Sequence, residues 1–210
     1  MSKGSISLDL IRRTPVWVVY CFGFLPAAVL VYQASANLLG PDPVKVIEHE
    51  LGLYSLKFLI AAMVITPVHK HLQINLMKFR RALGLLCFWY AAIHFLTYIV
   101  LDQQFYWNSI AKDLAKRPYI MFGFTSFLIL MVLAVSSNNY SIRRLGTSVW
   151  KKLHLLVYPA ALMAALHFIM LVKSWPLEPL IYCAIISGLI FYKVVDTIRR
   201  KLRTGQIFKL

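Results

Sequence analysis

The sequence predicts an all-α integral membrane bundle of six helices with both termini on the cytoplasmic side. Three observations predict it: apolar runs of membrane length, few acidic residues, and basic residues gathered at one end of the runs. Of the 210 residues, 60% are hydrophobic and 15% charged, only 8 of them acidic, and the mean hydropathy is +0.67. A soluble domain of this length rarely combines such apolarity with so few acids.

The apolar runs fall at residues 16–32, 51–68, 82–101, 119–135, 155–172 and 180–195. Each approaches the ~20 residues that cross a ~30 Å hydrocarbon core. They are continuous, whereas the strands of a membrane barrel alternate, so helices are expected. Six runs leave room for one domain, residues 1–210, with a cytoplasmic tail at 196–210. The first run is followed by Ala34-Ser35-Ala36, a cleavage-like signature; its apolar stretch is longer than that of a typical signal peptide, so a retained span is expected, with cleavage as the alternative.

The net charge of +15 is placed unevenly. If the runs alternate across the bilayer, four basic clusters share one side: Lys3 with Arg12 and Arg13, Lys70 to Arg81, Arg143 to Lys152, and Lys193 to Lys209. The other side holds only Lys45, Lys57, Lys112, Lys116, Arg117 and Lys173. This positive-inside asymmetry places both termini in the cytoplasm. No basic segment is interleaved with a soluble aromatic platform, so nucleic acid is not an expected partner.

The connections are short. On the outer side, Pro41 and Pro43 argue against a helix in residues 37–50, apart from a turn at 45–50. Residues 102–118 mix aromatics with charges and are expected along the lipid headgroups. The segment KSWPLEP makes the last two spans a tight hairpin. On the cytoplasmic side, residues 69–81 and 136–152 read as brief loops. No GxGxxG or P-loop pattern is present, so the nucleotide-binding domain of a self-sufficient reductase is not expected within these residues. Cys21, Cys87 and Cys183 each stand alone within apolar runs and read as small buried hydrophobes.

The chemistry resides in the histidines. His49, His69 and His71 lie in loops and read as interfacial residues. His94 is about 12 residues into the third run, roughly 18 Å from its cytoplasmic end at 1.5 Å per residue. His167 lies at nearly the same depth in the fifth run, which crosses in the same direction. An ionisable group at membrane depth is costly and marks function by default. Two imidazoles in one plane of an apolar bundle suit haem b, whose macrocycle is itself apolar. Zinc or copper would want further ligands. His154 lies 13 residues before His167, about 20 Å toward the cytoplasm. Pro159 stands between them and can rewind the turn. His154 is thus an alternative or second-haem ligand. Its would-be partner positions on the third run hold Arg80 and Arg81, so the number of haems, one or two, stays open.

For the haem propionates the candidates are Arg117 and Lys173 on the outer side and Lys151 and Lys152 on the inner. Arg80, Arg81, Arg143 and Arg144 form a basic cytoplasmic surface suited to an electron donor or a flavin phosphate. A haem-free transporter relaying protons, or a scaffold protein, is the alternative. The first would want acidic residues in the spans, and there are essentially none before Asp196.

The segments GPDPVKVIEHELGLYSLKFLIAAMVITP, FRRALGLLCFWYAAIHFLTY, RPYIMFGFTSFLILMVLAVSS and LGTSVWKKLHLLVYPAALMAALHFIMLVK carry a resemblance. They resemble, in order and spacing from about residue 25 to residue 201, the MsrQ (YedZ) family of bacterial inner-membrane proteins. More distantly the chain is similar to ferric-reductase-like membrane proteins, including NADPH oxidases and metalloreductases. The resemblance implies a haem b electron carrier fed by quinol or a cytoplasmic flavin reductase, with FMN as a further cofactor. It implies delivery to MsrP, a periplasmic molybdopterin enzyme that reduces methionine sulfoxide in envelope proteins. Its histidine positions fall on His94, His154 and His167. Arg80 or Arg81 stands where the four-histidine, two-haem pattern of NADPH oxidases has its fourth ligand.

Overall fold

A computed structural model describes residues 13–171 and 176–203. Among the described residues all regular structure is helical. The first two helices are α1 (Val16–Ser35) and α2 (Pro43–Leu72). The third, α3 (Arg80–Thr97), follows a 3-10 turn at Met77–Phe79 and ends in a π-helical turn at Tyr98–Asp102. Then come α4 (Trp107–Lys116), α5 (Pro118–Val135) and α6 (Asn139–Leu153). A 3-10 turn at His154–Leu156 joins α6 to α7 (Val157–Leu171), and α8 (Leu177–Arg203) closes the chain. Six helical segments, with α6 and α7 counted as one, are long and apolar enough to cross a bilayer.

Three connections expected to be loops are helical. Pro43 starts α2 rather than excluding it, because a proline at the first helical position lacks only an N–H that would be unpaired anyway. Asp42 caps that end by accepting from the Lys45 amide at 3.3 Å. Residues 45–50 are therefore a continuous extension of the second span. Residues 107–116 form α4. The stretch read as a cytoplasmic loop before His154 is α6, interrupted at Gly146, whose φ of 75° breaks the helical path.

The helices pack through small side chains and internal hydrogen bonds, as expected where lipid supplies no hydrophobic contrast. The most extensive contacts join α2 to α3 and α5 to α7. At the centre Ala160, Ala161, Cys87 and Ile186 are fully buried. Ser55 donates to the Cys87 carbonyl and Ser126 to the Ala160 carbonyl, each at 2.9 Å. Tyr90 is also fully buried. Its hydroxyl donates to the Gly23 carbonyl at 2.7 Å and accepts from the Ala27 amide at 3.1 Å, beside Pro26. It thus inserts into the helical ladder that Pro26 disturbs. The outside is the reverse of a soluble surface: Trp17, Phe22, Val31, Val135 and Phe191 are 63–70% exposed. That belt is what lipid would cover.

Candidate functional site

His94 lies in the last turn of α3, just before the π-helical turn. His167 lies in α7, and the bundle brings the two together. Their ring centroids are 6.3 Å apart with planes at 75°. His94 Nδ1 is 2.8 Å from the Glu48 carbonyl of α2, and His167 Nδ1 is 2.7 Å from the Tyr119 carbonyl of α5. A carbonyl only accepts, so each Nδ1 carries the proton and each Nε2 keeps its lone pair. Metal-bound imidazoles are oriented in this way, by a backbone carbonyl on the far nitrogen.

Both rings are cradled by the same local device. Glu48 is followed four residues later by Gly52, and Tyr119 four residues later by Gly123. Along a helix the side chain at the fourth position overhangs the earlier carbonyl. Glycine leaves that carbonyl open to a ring from the neighbouring helix. A Cβ at Gly123 would stand 2.7 Å from His167 Nδ1 and 3.0 Å from its Cγ. One at Gly52 would meet His94 at 3.4 Å, ordinary contact.

The pair has the chemistry of an axial set. Two imidazoles on opposite sides of one metal, through nitrogens at about 2 Å, hold their centroids roughly 6 Å apart. Among the described residues no third His, Cys, Asp or Glu joins them to hold a bare ion. A metal that brings its own equatorial nitrogens, as haem iron does, needs only these two. The residues present therefore fit the group.

His154 occupies the 3-10 turn and joins neither ring. Its Nδ1 lies 3.1 Å from the Trp150 carbonyl, and its ring stacks on Trp150 at 3.9 Å between centroids. Its Nε2 is 3.3 Å from Ser137 Oγ, but that hydroxyl is already given to the Leu133 carbonyl at 2.6 Å. A hydroxyl has one proton, so the His154 Nε2 lone pair remains open to another partner. Arg80 and Arg81 lie within electrostatic reach.

The candidate cations are variously engaged. Arg117 Nε pairs with Asp113 at 3.1 Å and its Nη1 donates to the Tyr119 hydroxyl at 3.2 Å, two residues from the turn that holds His167. Arg81 donates to Asn139 at 3.1 Å, tying α3 to α6. Arg144 donates to Tyr140, while Arg143, Lys151 and Lys152 are exposed on α6. Lys173 lies outside the described residues. Of the remaining histidines, His71 meets the Tyr192 hydroxyl at 2.9 Å, and His49 stands 5.9 Å from the Phe168 ring. Sequence reading passed over Gly52, Gly123, Trp150 and Ser137. The only signal for the glycines was their place inside apolar runs, where a glycine marks close approach.

Residues 49–165 match the family described as ferric reductase like transmembrane component, a range that includes His94 and His154. The protein-methionine-sulfoxide reductase heme-binding subunit MsrQ of Brucella anthropi is 47% identical over 180 residues, covering 86% of this chain and 81% of its own length. The corresponding subunit of Brucella ovis is 47% identical over 199 residues, covering 92% and 89%. With relatives this similar along most of its length, the chain is a multi-pass membrane protein of the ferric reductase-like transmembrane family, in the branch of the MsrQ subunits.

Proposed function

We propose that this chain is the electron-transfer subunit of a methionine sulfoxide reductase system, carrying electrons across the bacterial inner membrane. In this reading His94 and His167 are the axial ligands of a haem b. The observation that carries it is the facing pair of imidazoles, each held through Nδ1 by a neighbouring helix's carbonyl. A haem b there supplies a one-electron ferric–ferrous couple. The protein's own share is to orient both rings, offer two imidazole nitrogens to the iron, and keep the site within an apolar bundle. With His94 and His167 both committed to the iron, such a site would favour electron transfer over oxygen chemistry. The names of the relatives, heme-binding subunits of a protein-methionine-sulfoxide reductase, support the haem and the system it serves.

The finer assignments belong to the same proposal. Electrons come from the quinol pool or a cytoplasmic flavin reductase, and leave for MsrP, a periplasmic molybdopterin subunit where the sulfoxide chemistry occurs. Both termini face the cytoplasm, by the distribution of Lys and Arg. Arg117 and Lys173 serve an outer propionate, Lys151 and Lys152 an inner one. FMN enters through the family resemblance, with Arg80, Arg81, Arg143 and Arg144 as partners for its phosphate or for the donor. A second haem on His154 is favoured by its open Nε2.

Haem, iron and flavin stoichiometry on the purified chain, with spectra before and after dithionite, tests the reading. His94→Ala and His167→Ala should each remove most of the haem absorbing in the Soret band, since each ring supplies one of the two facing Nε2 lone pairs. His154→Ala should shift the spectrum or remove only a second haem. Full haem retention in either of the first two variants would overturn the axial pair.

A further inference from the structure

The connection between α3 and α5 is a sharp turn followed by the short helix α4. The backbone first turns sharply: Gln104 and Phe105 both have positive φ, 46° and 61°. A bulky residue such as phenylalanine rarely adopts that conformation. It is held here by bonds from the Phe105 amide to the Ile99 carbonyl at 3.0 Å and from the Tyr106 amide to the Gln103 carbonyl at 2.8 Å. The result is three successive aromatics turned outward, Phe105, Tyr106 and Trp107, exposed by 52%, 71% and 64%. They follow Asp102, where the third span ends, after Gln103 and Gln104.

Helix α4 then presents two different faces. Ser109, Ile110, Asp113 and Leu114 are half-buried against the bundle. Trp107, Ala111 and Ala115, four residues apart, form an exposed apolar stripe, with Lys112 and Lys116 exposed on the stripe beside it. Because α4 connects the ends of two spans through a short segment, it cannot leave the membrane surface. Large amphipathic aromatics beside lysines are what the headgroup layer takes: rings at the acyl boundary and ammonium groups at the phosphates.

We propose that α4 lies in the headgroup layer of the leaflet on the His94–His167 side, with Phe105, Tyr106 and Trp107 inserted and Lys112 and Lys116 on lipid phosphates. The anchor is wired to the site. The Tyr98 hydroxyl donates to Asp113 Oδ2 at 3.1 Å, Asp113 pairs with Arg117, and Arg117 reaches Tyr119, whose carbonyl holds His167. The lipid surface thereby fixes the turn that orients one imidazole.

The test uses the full chain reconstituted in phosphatidylcholine vesicles. The difference in emission between the unmodified chain and Trp107→Phe reports Trp107 alone. A spin label on the lipid headgroup should quench that difference several-fold more strongly than aqueous acrylamide does. Phe105→Trp, read in the Trp107→Phe background, should behave alike, which guards against a local effect of one substitution. Two outcomes would overturn the anchor. Free quenching by acrylamide without the headgroup label would put the face in water, open to a soluble protein. Quenching only by a label at the acyl-chain centre would place it in the hydrocarbon.

Discussion

At the paired histidines the decisive side chains are the missing ones. Gly123 lies against the His167 ring so closely that a methyl group would overlap it, whereas Gly52 leaves His94 a normal contact distance. Gly123→Ala should push the ring off the Tyr119 carbonyl and weaken haem binding about 10- to 100-fold, the usual effect of disturbing a group that orients a ligand. Gly52→Ala should change it far less. Haem titration of the two apoproteins measures the contrast, and equal affinities would mean that the glycines do not place the rings.

At the scale of the element, the helix ends carry more organisation than the spans between them. The third span closes in a π-helical turn just beyond His94, and such turns recur at functional sites. The fifth tightens into a 3-10 turn at His154, shortly before Pro159, which cannot donate to the ladder. Asp113 on α4 joins two further ends, since it receives both Tyr98 and Arg117. Hydrogen bonds to a charged group contribute about 1.5–3 kcal/mol each when well protected. Arg117 is 53% exposed, so its share is smaller. Asp113→Ala should therefore lower stability by about 2 kcal/mol in all, visible as a lower Tm in detergent with helical content unchanged. Asp113→Asn should recover part of the loss, because the amide oxygen still accepts from Tyr98.

Across the whole molecule the two kinds of site lie at opposite ends. Arg80 and Arg81 begin α3 and neighbour His154, while His94 closes the same helix beside His167. Lys70 of α2 pairs with Asp196 of α8, drawing the two helices together, and Arg200 pairs with the same carboxylate from within α8. This basic end is suited to steer an anionic donor toward the helices that carry the three histidines. Charge reversal, Arg80→Glu with Arg81→Glu, should slow haem reduction by a flavin donor, and the unmodified rate should fall as salt rises. Haem content should stay normal in the variant. Unchanged kinetics in a haem-replete, correctly inserted protein would return these arginines to a purely topological role.

The sequence by itself determined the helical class, the six spans and the matched depth of His94 and His167. Those depend on run length and on counting residues along a helix, quantities that a one-dimensional string carries. It misread residues 43–50 because proline was weighed as a breaker, and only the cap at Asp42 shows it to be a starter. It misread residues 139–153 because a polar, basic stretch resembles a loop until its half-buried face, with Ile142, Trp150 and Leu153, meets the bundle. What only the tertiary structure decided was orientation. The carbonyls of Glu48 and Tyr119 come from helices far away in sequence, and any residue type can offer a carbonyl. Their selection rests on which helix faces which, and on a glycine four residues on, so no residue type at His94 or His167 could announce it.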